Sequence, residues 1–211
     1  MTLCFWAPRR FHFAVARCWA RGALRALTAF CGLDFRVEGR EHIPPGNHIV
    51  MSNHTSAWET IAQLVIFPPQ VWVLKRELLW IPFVGWGLAL LRPIAINRGE
   101  GRRAVNQVIE QGKARLAEGL WIIVFPEGTR VMPGERREFG LSGALLAAET
   151  GKLVVPLAHN AGQFWPRRGI LKKAGTIRVV IGEPIPSAGK DPRLLNDEVR
   201  RSIEAGLAQI S

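Results

Sequence analysis

His54 and Glu59 stand in the run Ser52, Asn53, His54, Thr55, Ser56, Ala57, Trp58, Glu59, directly after the apolar stretch Ile49 to Met51. An imidazole held at Nδ1 by a carboxylate presents Nε2 as a general base, which is what an attacking hydroxyl needs to lose its proton. On one continuous helix, side chains five positions apart point about 140° apart and do not meet. Ser56 followed three residues later by Glu59 is, however, a capping-box pattern. It starts the helix at Ser56 and leaves His54 on the preceding loop, free to turn toward the carboxylate. The plainer alternative has Glu59 closing the cap alone, with His54 a polar loop residue.

A second cluster, Phe125, Pro126, Glu127, Gly128, Thr129, Arg130, follows the apolar run Leu120 to Phe125. A tight turn with open backbone N–H groups, a hydroxyl and a forked cation suits a phosphate, although an ordinary surface turn has the same composition. Arg98 closes a third run, Pro93 to Ile96. A fourth, Leu153 to Ala158, ends in His159 and Asn160, and Pro156 inside it marks an edge strand or a bulge.

These residues need a scaffold that brings strand ends together. Ile49–Met51, Val71–Leu74, Pro93–Ile96, Leu120–Phe125, Leu153–Ala158 and Thr176–Ile181 read as strands. Helical periods occupy Trp58–Phe67, Arg102–Glu118 and Leu141–Thr150, and Asp191-Pro192 opens a last helix toward Ile210. Such alternation predicts an α/β sandwich with a largely parallel or mixed sheet, whose ligands gather at the carboxyl ends of the strands.

The chain has 211 residues, 48% of them apolar, enough for one domain with an appendage and too hydrophobic for disorder. Lys and Arg outnumber Asp and Glu 28 to 17, a surplus of +11 that favours nucleic acid, an anionic membrane or phosphorylated substrates. Three cysteines without CxxC spacing encode neither a disulfide framework nor a zinc site, and a reducing compartment fits them. The other histidines lack metal-ligand spacing. No run reaches the ~18 apolar residues of a spanning helix, and arginines interrupt the first thirty residues too often for an export signal.

Residues 1–34 form a segment of their own. Arg10, Arg17, Arg21 and Arg25 share one helical stripe, with Phe11, Val15, Trp19, Ala26 and Phe30 opposite. The expectation is a basic amphipathic helix lying in an anionic headgroup layer, with docking on the protein's own core as the alternative. The run Leu78–Leu91 is expected to line an acyl slot, dip into a membrane or form a buried helix.

His54 with Glu59, PIAINR ending at Arg98, FPEGTR at 125–130 and VPLA at 155–158 resemble, in order and spacing, the four blocks of the glycerolipid acyltransferases. The match is specifically to the 1-acyl-glycerol-3-phosphate acyltransferases, and runs from about residue 35 to 185. Lys75 with Glu77, Leu78 and Pro82 is similar to the segment between the first two blocks. The resemblance implies an acyltransferase domain over 35–211. In it His54 deprotonates the sn-2 hydroxyl of lysophosphatidic acid during attack on an acyl thioester, Glu59 holds the tautomer, and no acyl-enzyme forms. Arg98, Thr129 and Arg130 would bind the phosphate with Lys75 and Gly128 nearby, Glu127 would order the loop, and loop N–H groups would meet the oxyanion. It implies acyl-CoA or acyl carrier protein as donor, phosphatidic acid as product, no cofactor or metal, an anionic membrane surface as partner and no nucleic acid. The location implied is the cytoplasmic face of a bacterial inner membrane, peripheral or monotopic.

Two positions depart from the pattern. Glu59 replaces the usual aspartate and is one methylene longer, and Gly140 stands where relatives commonly carry a lysine, so Arg136 or Arg137 is the expected substitute. Two other readings remain: transfer to another lyso-lipid such as a lyso-aminolipid, or a basic module that binds membrane or nucleic acid without catalysis. Gly140–Ala144 imitates a serine-hydrolase elbow, but the charged residues before it argue against a nucleophilic Ser142.

Overall fold

In the computed structural model the described residues are 6–132, 134–135, 137–167 and 169–210, with Arg98 described by its backbone. Seven strands form one sheet: β1 Leu33–Glu38, β2 Ile49–Ser52, β3 Gln70–Lys75, β4 Ile94–Ile96, β5 Trp121–Val124, β6 Val154–His159 and β7 Gly175–Ile181. Their order is β1-β7-β6-β2-β5-β3-β4. The five strands from β6 to β4 are parallel, β7 runs antiparallel to β6, and β1 is parallel to β7. The sheet is therefore mixed. Ile49, Val50 and Met51 of β2 and Trp121 to Val124 of β5 are all buried, as expected for central parallel strands covered on both faces.

Among the described residues, seven α-helices cover it: α1 Arg9–Cys31, α2 Trp58–Ile66, α3 Val84–Leu90, α4 Arg102–Ala117, α5 Ser142–Thr150, α6 Ala161–Phe164 and α7 Pro192–Ile210. α1 packs on α2, whereas α4, α5 and α7 form a separate contiguous layer. Right-handed crossovers explain the division. The chain moves one way along the sheet through β2, β3 and β4, then returns through β5 and β6. The helices that follow β2 and β5 thus leave toward opposite faces, and the space between these adjacent strand ends is a crevice.

α1 has three sectors rather than two, and one of them docks on the protein's own core. Phe13, Ala16, Ala20 and Leu24 are buried and belong to the same core as the sheet. Arg10, Arg21 and Arg25 are exposed, while Arg17 bends inward and donates to the carbonyl oxygens of Val65 and Phe67 at the end of α2. The remaining sector carries Phe11, Trp19 and Phe30 in the open, Phe30 at 88% exposure. The helix stops at Gly32, whose left-handed φ of 60° lets its N–H bond to Thr28 O, and β1 starts one residue later. No helix among the described residues is long and apolar enough to cross a membrane.

Several local signals read correctly. Asp191 Oδ1 accepts from the N–H groups of Arg193 and Leu194, capping α7 at Pro192. Two expectations need correction. β6 is an interior strand, so Pro156 does not mark an edge. It borders a bulge: β7 pairs Ile181 with Leu157 and Gly182 N–H still bonds Pro156 O, yet the next bridge joins Ile185 to Val154, which sets one extra residue on the outer chain just past Pro156. Leu78–Leu91 is not a buried helix, since Trp80, Phe83 and Val84 are largely exposed around the short α3.

Candidate active site

His54 leaves the carboxyl end of β2, and the 125–130 turn leaves that of β5. The β2–β5 register, Met51 opposite Val124, brings both segments to one crevice. Three contacts clasp them. His54 N–H donates to Glu127 Oε2 at 2.8 Å, Val131 N–H donates to His54 O at 2.8 Å, and the His54 ring stacks on Phe125 with centroids 4.0 Å apart. The imidazole therefore faces the FPEGTR turn.

The helix starts at Trp58, two residues later than expected, and the Glu59 half of the capping box forms and does double duty. Ser56 Oγ accepts from Trp58 N–H, and Ser56 N–H donates to Glu59 Oε1 at 3.0 Å. The same Oε1 meets His54 Nδ1 at 2.7 Å. Glu59 is thus both cap and partner, one oxygen serving the loop and the imidazole together. A carboxylate oxygen only accepts, so Nδ1 carries the proton and Nε2 is the free base.

Behind Glu59 lies a residue without an expected role. His159, at the end of β6, is fully buried, and its Nε2 sits 3.9 Å from Glu59 Oε2. Ala161 N–H donates to its Nδ1 and Asn53 O accepts at its Nε2, so His159 is the neutral Nε2–H tautomer. Asn53 fixes it further by gripping the His159 backbone N–H and C=O with its side-chain amide. Burial works to raise the Glu59 carboxyl, but the two imidazoles and the Ser56 N–H outweigh it and leave Glu59 below its ordinary range. Burial pushes the His159 imidazole down. Glu127 differs: burial, seconded by the Glu59 charge, pushes its carboxyl up to about 7 against the His54 N–H bond.

The anion-binding candidates are unequally placed. Gly128 takes a left-handed φ of 70° as the turn closes through Gly128 N–H to Phe125 O. Thr129 and Arg130 are half-buried beside it, and Arg130 Nε is buried with no hydrogen-bond partner among the described residues. Lys75 ends β3 on the same sheet edge, but its Nζ pairs with Glu77 at 3.1 Å. Arg98 opens the turn Arg98–Glu100 after β4, three strand spacings of ~4.8 Å from β2. Gly140 donates its N–H to Pro126 O, closing the loop where a lysine was expected. Arg137 is exposed and lines a cleft of about 410 Å³ with Glu127, Asn53 and Thr55. Arg136 lies outside the described residues. A second open cavity, about 1160 Å³ and mainly apolar, lies between the start of α1 and Phe83, Trp86 and Leu90.

A base and its orienting acid thus face a turn that carries a half-buried arginine. The acyltransferase family model matches residues 34–160. The chain belongs to the acyltransferase family. It is 42% identical over 205 residues to the 1-acyl-sn-glycerol-3-phosphate acyltransferase of Pseudomonas aeruginosa, covering 96% of this chain and 79% of that one. It is 30% identical over 186 residues to the human alpha enzyme of the same name, covering 85% of this chain and 66% of that protein. The crystal structure of the 1-acyl-sn-glycerophosphate acyltransferase PlsC from Thermotoga maritima superposes with a TM-score of 0.80 at 27% identity, covering 96% of this chain and 80% of that one. In this acyltransferase, the first, third and fourth sequence blocks lie side by side because β2, β5 and β6 are neighbours, while the block ending at Arg98 lies farther out, on β4.

Proposed function

We propose that the enzyme transfers an acyl group from a thioester to the sn-2 hydroxyl of 1-acyl-glycerol-3-phosphate, giving phosphatidic acid. The observation that carries this is the Glu59–His54 pair, joined at 2.7 Å and clasped to the FPEGTR turn, whose Arg130 Nε has no hydrogen-bond partner among the described residues. Nε2 of His54 takes the hydroxyl proton as the oxygen attacks the thioester carbonyl. The tetrahedral intermediate collapses, the C–S bond breaks, and the proton passes to the leaving thiolate. Arg130 and Thr129 hold the acceptor phosphate, with Arg98 and Lys75 farther along the same edge and Glu127 tying the two loops together. Acyl-CoA and acyl carrier protein both fit this chemistry.

The enzyme works at a membrane surface. Support comes from the exposed Phe11, Trp19 and Phe30 on α1, set beside Arg10, Arg21 and Arg25. The exposed Trp80, Phe83 and Trp86 extend the apolar surface, and the cavity between α1 and α3 accommodates acyl chains.

The test is thiol release on mixing purified enzyme, an acyl thioester and a panel of lyso-lipids, followed by product identification. Release with 1-acyl-glycerol-3-phosphate and formation of phosphatidic acid is the expected result. Turnover only with a lyso-aminolipid, or none with any acceptor, overturns the assignment.

A further inference from the structure

Between α6 and β7 the described residues 165–167 and 169–174 belong to a loop, and two adjacent aliphatic side chains stand at its tip. Ile170 is 86% exposed and Leu171 85%. Leaving such groups in water costs the full hydrophobic transfer energy of each. The tip is flanked by Arg167, Lys172 and Lys173, and no acidic residue occurs anywhere between Glu149 and Glu183.

The loop has a built shape. Gly169 N–H donates to Pro166 O, and Lys173 N–H closes the base on Phe164 O. Lys172 Nζ folds over the Trp165 ring, 4.6 Å from its centroid, and donates to Ile170 O. One side of the loop is tied to the active site, since Arg167 Nη1 donates to Arg130 O at 3.0 Å. The other side is tied to the end of α1, since Gly175 N–H donates to Gly32 O at 2.9 Å, two residues beyond the exposed Phe30.

We propose that Ile170 and Leu171 are a second membrane-contact element, which enters the headgroup layer beside the active-site mouth while Arg167 and Lys173 meet lipid phosphates. The proposal rests on the reading of the enzyme as one that works at a bilayer. Its occupant is a lipid surface of net negative charge rather than a protein. The tip is convex, with nearly all of both side chains projecting outward, and such a shape penetrates a fluid layer better than it fits a partner's groove. Its cations have no acid among them, and the apolar sector of α1 ends next to it. Two contacts, one along α1 and one at the loop, fix the mouth's orientation, so that Arg130 faces phosphates that remain in the membrane.

The test uses the full chain and two variants, Ile170→Ser with Leu171→Ser, and Ile170→Asp with Leu171→Asp. Co-sedimentation is measured with vesicles of phosphatidylcholine and phosphatidylglycerol. Turnover is measured with long-chain lysophosphatidic acid in those vesicles and with a short-chain, monodisperse lyso-acceptor, using acyl-CoA and acyl carrier protein donors in turn. Removing two exposed aliphatic groups from the membrane contact is expected to weaken vesicle binding about tenfold or more and to raise the apparent KM for the vesicle-borne acceptor similarly. Turnover of the monodisperse acceptor stays within about twofold of wild type.

Unchanged vesicle binding and KM overturn the proposal. So does a defect confined to the carrier-protein donor whatever the acceptor's state, which makes the tip a carrier-docking site. Equal loss with the monodisperse acceptor makes it a support of the catalytic loops instead. If wild-type enzyme acylates no lyso-lipid, the acyltransfer reading fails while the co-sedimentation comparison still judges the tip.

Discussion

Glu59→Gln is the sharpest test of the proton chemistry, because an amide has the shape of the carboxylate but only one oxygen. Glu59 Oε1 accepts from Ser56 N–H at 3.0 Å and from His54 Nδ1–H at 2.7 Å, while Oε2 is buried with no hydrogen-bond partner among the described residues, 3.9 Å from His159 Nε2. Two donors bond one oxygen of this group. With the amide oxygen in the Oε1 position, His54 keeps its tautomer, but the NH₂ takes the buried Oε2 position with no acceptor in place, a cost of about 1 to 3 kcal/mol. With the amide reversed, the NH₂ opposes Ser56 N–H and donates to His54 Nδ1, which drives the ring proton to Nε2 and blocks the base. Either way the negative charge that steadies the imidazolium in the transition state is gone. The combined loss of orientation and charge is expected to lower kcat by roughly 10² to 10⁴, or about 3 to 5 kcal/mol of barrier. The assay is the initial rate of thiol release with saturating lysophosphatidic acid, alongside a thermal melt to show that the variant is folded. Activity within about threefold of wild type in a folded variant refutes the reasoning, because an uncharged amide would then serve as well as the carboxylate.

The other outcomes follow from the same geometry. For Glu127 the folded value of about 7 exceeds the ordinary 4.5, so the native state binds the proton more tightly and stability falls as pH rises from 4.5 through 7. Glu127→Gln is therefore expected to melt higher than wild type at pH 8, by up to about 3 kcal/mol, and no higher near pH 4, as read from thermal scans at both. His159 is held down from 6.5, so the unfolded chain takes up its proton first and wild-type stability drops as pH falls below 6.5. His159→Gln should flatten that slope in melts between pH 5 and 7 on a scale of about one proton, and an unchanged slope contradicts the assignment. Arg130→Ala is expected to raise the acceptor KM about 10- to 100-fold with a smaller change in the donor's, matching the ~1.5 to 3 kcal/mol of a charge-assisted bond. An equal effect on both substrates contradicts its placement at the phosphate.

Central strands declared themselves in sequence because burial on both faces demands unbroken apolar runs, as in Ile49–Met51 and Trp121–Val124. β1 was hidden, since Asp34, Arg36 and Glu38 alternate with Phe35 and Val37 on a sheet-edge strand, and a charged stretch right after a helix reads as a linker. The capping box was the decisive local signal for the site: it alone released His54 from helical geometry. Nothing local indicated His159. Its contact with Glu59 spans a hundred residues and exists only because β6 lies beside β2. The docking sector of α1 was equally quiet, because Ala16 and Ala20 add little hydrophobicity while permitting close approach.

That close approach has a mechanical consequence. α1 shares one packed core with the sheet, hangs on α2 through Arg17, and joins β1 with a single glycine between them. If α1 is the membrane contact proposed above, that contact has no swivel: the height of the His54 ring above the lipid plane is set by the rigid body, and the acceptor's glycerol has to reach the base by its own vertical excursion.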